Sequence, residues 1–190
     1  MSLKALPNIV TSARIGLAVV VFALLAAAGG RWPGPRGMDL ETHQRLILIA
    51  LVVFVVAALT DFLDGWLARK LNARSAIGVM LDPIADKIAV VAAVIGLCTI
   101  DTSLIAWPGA LILMRELFVA GLRETGVKLA VTPLAKWKTT GQLMALAGVM
   151  AGLIWSDLRD PAQALLWIAT ALTLWTGADY LVKTLKALKH

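Results

Sequence analysis

Six apolar runs, at roughly residues 14–30, 45–68, 77–99, 103–122, 139–155 and 162–182, constrain this chain more than any other feature. A helix needs about 20 mostly apolar residues to cross a hydrocarbon core, and each run is of that order. The runs occupy most of the 190 residues. The expected fold is therefore an all-α integral membrane bundle of six transmembrane helices. It forms a single domain over residues 1–190, with no room for a separate soluble one. Composition agrees, since 16% of residues are charged against about 25% in soluble domains.

The residues between the runs are turn formers, which predicts breaks at Gly29-Gly30, Pro33-Gly34-Pro35, Asn72, Pro108, Pro133 and Pro161. The first dozen residues, with Leu3, Leu6, Ile9 and Val10 around Lys4, allow a short N-terminal interfacial helix. The first run is long enough to be retained as a span, so no cleavable signal peptide is expected. The seven Trp residues fall mostly near the ends of the runs, as an aromatic belt would. A lone cysteine, Cys98, excludes a disulfide framework and a CxxC metal site.

The net charge of +6 would suit a nucleic-acid binder, but its distribution points elsewhere. With both termini on the cytoplasmic side, twelve Lys and Arg residues fall in cytoplasmic segments. Arg31, Arg36, Arg45 and Arg159 fall in opposite loops, and Lys87 and Arg115 lie inside helices. Positive charge retained on one side orients a membrane protein. No nucleic-acid partner is expected, and the termini with loops 69–76 and 123–138 are assigned to the cytoplasm.

Charged side chains inside spanning segments are costly and mark function. Four carboxylates stand there, Asp61 and Asp64 in the second run and Asp82 and Asp86 in the third. Asp61, Asp64, Gly65, Ala68 and Arg69 follow at i, i+3, i+4, i+7 and i+8, one stripe of a helix. Gly78, Asp82 and Asp86 make a second stripe, and the short basic connection between them predicts antiparallel neighbours with facing acids. Four carboxylates that close are neutralised either by protons or by cations. Hard divalent cations such as Mg²⁺, Mn²⁺ or Ca²⁺ suit an all-carboxylate set. Two ions roughly 3.5–4 Å apart would balance the charge and suit displacement at phosphorus. Gly65, Ala68 and Gly78 leave space for a bulky ligand, and Arg69 suits a phosphate. Pro83 is expected to remove one helix hydrogen bond and bend the helix beside the site.

The segment Asp61-Phe62-Leu63-Asp64-Gly65-Trp66-Leu67-Ala68-Arg69, followed by Gly78, Asp82 and Asp86 at their intervals, resembles the signature of the CDP-alcohol phosphotransferase family. Three further stretches resemble the bacterial branch that makes phosphatidylglycerophosphate. They are Pro7 to Arg14, Arg115-Glu116 with Leu122-Arg123-Glu124, and Lys136 to Gln142. The resemblance implies transfer of the phosphatidyl group from CDP-diacylglycerol to glycerol 3-phosphate, with release of CMP. It implies that Asp61, Asp64 and Asp82 hold one metal and that Asp61, Asp82 and Asp86 hold the other, Mg²⁺ or Mn²⁺. Asp86 would also take the proton of the attacking hydroxyl. Asp61, Gly65, Ala68, Arg69 and Gly78 would line the CDP pocket. Asn8, Thr11, Arg14 and Thr139 match further positions of that branch. A homodimer in a bacterial inner or plasma membrane, with the site on the cytoplasmic side, is implied as well.

A dianionic acceptor calls for cations of its own. Arg115, Arg123, Lys136 and Lys138 are the candidates for an acceptor-phosphate pocket beside the metals. Phosphatidylglycerol, an inositol phosphate or serine are the alternative acceptors. A cation or proton transporter is the alternative from another class, but such a pathway places polar groups at the midplane and beyond. For the lone residues plainer readings stand beside these. Arg115 could pair with Glu116 or Glu124, Lys87 with a carboxylate, and Asp179 could reach the interface. His43 and His190 have no partners at metal spacing.

Overall fold

A computed structural model describes residues 6–30, 38–71, 76–124 and 133–188, with side chains in all of these except 6–11, 61–83, 86, 123–124, 133–137 and 188. The described residues form six α-helices and no strand. They are α1 (Leu6–Ala28), α2 (Leu40–Leu71), α3 (Ala76–Ile100), α4 (Thr102–Glu124), α5 (Pro133–Ile154) and α6 (Arg159–Leu188), with a 3-10 turn at Ser156–Leu158. The chain divides into two compact units, Met1–Thr102 and Ser103–His190.

In the first unit α1 lies against both α2 and α3. The faces that meet repeat at helical spacing: Ala18, Val21, Leu25 and Ala28 of α1, Ile47, Ala50, Phe54 and Ala57 of α2, and Ala93, Val94 and Leu97 of α3 are buried. Lipid removes the hydrophobic drive between helices, so close packing through small residues replaces it. Gly96 shows this directly, because a Cβ there would stand 2.8 Å from Leu25 Cδ1. The Thr99 hydroxyl sits at the same junction, donating to the Gly96 carbonyl of its own helix at 2.6 Å and lying 3.2 Å from the Leu25 carbonyl of α1. The turn after α1 needs a left-handed residue, and Gly30 supplies it at φ 66° while its N–H returns to the Ala27 carbonyl.

The opposite faces are apolar and open. Val52 and Leu59 of α2, Trp107 and Leu117 of α4, and Ile168 and Trp175 of α6 are all more than half exposed. Exposed apolar area on this scale marks a face that meets something other than water. Among the described residues, Leu40–Thr60, Thr102–Leu122 and Ser156–Ala187 are long and apolar enough to cross a membrane, and Ser12–Ala28 and Lys87–Ile100 are shorter apolar stretches.

The helices extend beyond the apolar runs that predict them. Residues from Leu6 onward join α1 as one uninterrupted helix, so no separate N-terminal helix precedes it among the described residues. Helix α2 begins at Leu40, ahead of its apolar run, because Asp39 caps it. Its Oδ2 accepts the Thr42 N–H at 3.0 Å and its Oδ1 the Thr42 hydroxyl at 2.7 Å. Those bonds hold the Asp39 carboxyl below its ordinary range. Glu41 and Arg45 pair one turn apart behind the cap.

Pro108 corrects the expected break. It lies inside α4 rather than in a turn. A proline there removes the N–H that would bond the Leu104 carbonyl. Gln163 of α6 donates its Nε2 to that carbonyl at 3.0 Å instead. A neighbouring helix thus satisfies the group, and the helix continues. Pro161 falls in the first turn of α6, where a missing N–H costs nothing.

Candidate functional site

The signature residues sit where two helices approach one short connection. Asp61, Asp64, Gly65, Ala68 and Arg69 occupy the last three turns of α2, and Gly78, Asp82 and Asp86 the first three of α3. Because the backbone is helical through both stretches, the spacings of three and four place each set along one stripe. The α3 helix runs without interruption through Pro83. Residues 72–75 join the two ends, so Leu71 and Ala76 stand at most about 18 Å apart. Both helices also share α1 as a packing partner.

The four aspartate side chains lie outside the described set, and among the described side chains no three His, Cys, Asp or Glu residues cluster. The fit to a metal therefore rests on the chemistry of the donor set. Four carboxylates with glycine and alanine between them offer hard oxygen ligands, and no soft donor stands in either stripe. Such a set fits Mg²⁺ or Mn²⁺. Lys87, next in sequence to Asp86, is half-buried on α3, and Arg14 is buried on α1. Asn8 and Thr11 also belong to α1, with side chains outside the described set.

The second unit carries a buried polar cluster to which all three of its helices contribute. Arg115 of α4 donates Nε to the Thr173 carbonyl at 2.9 Å, Nη2 to the Thr176 hydroxyl at 3.1 Å and Nη1 to Glu116 Oε1 at 3.2 Å. Lys138 of α5 donates to the same Glu116 oxygen. Gln142, one turn further along α5, gives Nε2 to the Thr173 hydroxyl at 2.7 Å and approaches Glu116 Oε1 at 3.5 Å. The Arg115, Glu116 and Lys138 side chains are only 9, 16 and 8% exposed. Two cations gathered on one carboxylate leave the group with a single net positive charge. Burial of a charge is tolerated only with such pairing.

Gly177 makes room for this cluster. A Cβ at that position would stand 2.9 Å from Arg115 Cγ and 3.0 Å from its Nε. The guanidinium stem therefore lies directly against the α6 backbone.

Of the four cations assigned to an acceptor phosphate, the structure brings Arg115 and Lys138 together through Glu116. Arg123 lies in the last turn of α4 and Lys136 in the first turn of α5, both with side chains outside the described set. Thr139 follows Lys138 and is half-buried. Glu116 is legible in the sequence as part of the Arg115-Glu116 stretch and as a partner for Arg115, but not as the meeting point of Arg115 and Lys138. Thr173, Thr176 and Gly177 went unread, although their spacing of three and four along the last apolar run was a usable signal. The isolated residues have simple accounts. Asp179 pairs with Lys183 one turn on at 2.6 Å, the His43 ring bonds the Ala28 carbonyl at 3.0 Å, and Cys98 is half-buried in α3.

Comparison with known proteins gives a consistent picture. The model of the CDP-alcohol phosphatidyltransferase family matches residues 4–175. The CDP-diacylglycerol–glycerol-3-phosphate 3-phosphatidyltransferase of Cereibacter sphaeroides is 39% identical, covering 97% of each chain. The Bacillus subtilis protein of the same name is 36% identical, again over 97% of each. The Haemophilus influenzae protein of that name is 38% identical over 70% of this chain and 75% of its own.

Proposed function

The chain belongs to the CDP-alcohol phosphatidyltransferase family, and from that premise we propose that it transfers the phosphatidyl group of CDP-diacylglycerol to glycerol 3-phosphate. The products are phosphatidylglycerophosphate and CMP. The observation that carries this reading is likeness along nearly the full length to the Cereibacter and Bacillus enzymes named for that reaction. The intact aspartate signature on α2 and α3 supports it.

In this reading Asp61, Asp64 and Asp82 hold one divalent cation and Asp61, Asp82 and Asp86 a second, with Mg²⁺ preferred. The bound cations supply neutralisation of charge at the reacting phosphates. Asp86 accepts the proton of the acceptor hydroxyl as its oxygen bonds the phosphorus bearing the diacylglycerol. The bond from that phosphorus to the CMP oxygen breaks in the same displacement. Asp61, Gly65, Ala68, Arg69 and Gly78 receive the CDP group, the small residues by leaving room and Arg69 by its charge. Arg115, Arg123, Lys136 and Lys138 take the acceptor phosphate, and Asn8, Thr11, Arg14 and Thr139 support the two substrates. Holding substrates in line and neutralising charge supplies most of such catalysis.

The protein is a membrane protein by family and by its long apolar helices. We place it with six spans in a bacterial inner or plasma membrane, termini and site cytoplasmic, as one catalytic domain that pairs as a homodimer. The Lys and Arg distribution supports the orientation.

The test is CMP release by purified protein with CDP-diacylglycerol and Mg²⁺. Glycerol 3-phosphate is compared with inositol phosphate, serine and phosphatidylglycerol. Turnover confined to glycerol 3-phosphate and stopped by EDTA is the expected result. Turnover with another alcohol alone would overturn the acceptor, and EDTA-resistant turnover would overturn the metal site.

A further inference from the structure

The acceptor reading leaves Glu116 without a task. An acid beside two cations assigned to a dianion weakens their attraction for it, so electrostatics alone disfavours a glutamate there. Its geometry supplies a reason for its presence. Arg115 Nη1 and Lys138 Nζ come from different helices and meet on one oxygen, Glu116 Oε1. Two like charges do not converge unaided in a buried place. Gln142 approaches the same oxygen from α5 while its Nε2 bonds Thr173 of α6. The carboxylate is thus the one anion among the described residues on which α4 and α5 converge, and α6 is tied in through Thr173 and Thr176.

We propose that Glu116 is a positioning residue of the acceptor subsite, its carboxylate holding Arg115 and Lys138 at the mutual spacing that a phosphate monoester requires. The inference rests on the acceptor reading given under the proposed function. Glu116 does not touch substrate; it acts through the two cations. Its role and a simple charge effect have opposite signs. Removing the negative charge makes the cluster more cationic, so a pocket governed by net charge would bind a dianion more tightly. A pocket governed by placement would bind it more weakly, because the cations separate.

The experiment measures CMP release by the full-length protein in mixed micelles for wild type, Glu116→Gln and Glu116→Asp. KM is determined separately for glycerol 3-phosphate and CDP-diacylglycerol, beside thermal midpoints. Loss of a charged hydrogen-bond partner predicts a rise of about tenfold or more in the glycerol 3-phosphate KM of Glu116→Gln. The KM for CDP-diacylglycerol should stay near wild type. Glu116→Asp keeps the charge on a shorter arm and should fall between the two. An acceptor KM that is unchanged or lower overturns the proposal. So does an equal rise in both KM values with a lowered midpoint, which a merely structural tie would give. Should Glu116→Gln fail to fold, Glu116→Asp decides by the same split. Wild-type turnover confined to a phosphate-free alcohol overturns the acceptor reading itself, whereas normal use of glycerol 3-phosphate with unaffected variants overturns this inference alone.

Discussion

Replacing Gln163 with methionine removes the donor that α6 offers to the Leu104 carbonyl, an acceptor released by Pro108 four residues along α4. A buried acceptor left without its partner costs about 1–3 kcal/mol. Interhelical side-chain bonds inside membranes average nearer ~0.6 kcal/mol. Gln163 Oε1 is itself buried without a partner among the described residues, so its loss offsets part of the damage. The net destabilisation expected for Gln163→Met is about 1 kcal/mol. Pro108→Ala returns an N–H that can close the helical bond to Leu104. In that background Gln163→Met should cost almost nothing, and the coupling between the two sites should be about 1 kcal/mol. Reversible unfolding in mixed micelles, followed by tryptophan fluorescence, measures all four corners of the cycle. Effects that add within about 0.3–0.5 kcal/mol would refute the exchange of one donor for the other.

Asp86→Asn should abolish CMP release while leaving the unfolding midpoint near wild type, and retained turnover would remove Asp86 as the proton acceptor. Gly177→Ala should lower stability by about 1–3 kcal/mol through overpacking against the Arg115 stem. The penalty should shrink in an Arg115→Ala background, and equal penalties in both would show that the close approach is not the cause. The Asp39 carboxyl, held low by Thr42, should support the first turn of α2 fully above the ordinary carboxylate range and lose that support as pH falls through its depressed value. Amide exchange at Thr42 should accelerate over that acidic window in wild type and be independent of pH there, after correction for intrinsic rates, in Asp39→Ala. Titration of Asp39 at or above an ordinary carboxylate value would contradict the cap.

What could be read along the chain was whatever depends on neighbours three or four residues away. The six helices followed from run length, and the stripes of Asp61, Asp64, Asp82 and Asp86 followed from spacing. Helix boundaries were less legible, because hydropathy does not register the bonds that extend a helix through polar residues. Asp39 carries α2 back to Leu40 in this way. Pro108 was misread as a turn for a related reason, since its lost bond is replaced from a helix some fifty residues later, at Gln163. The sequence by itself therefore determined the helical membrane class and the acid stripes, which are local properties of a repeating backbone. Only the tertiary structure decided that Arg115 and Lys138 meet on Glu116, with Thr173 and Thr176 receiving the guanidinium and Gly177 making room for it. That meeting depends on how α4, α5 and α6 rotate about their own axes, and rotation is set by packing and by the satisfaction of buried polar groups, neither of which is encoded at any one position.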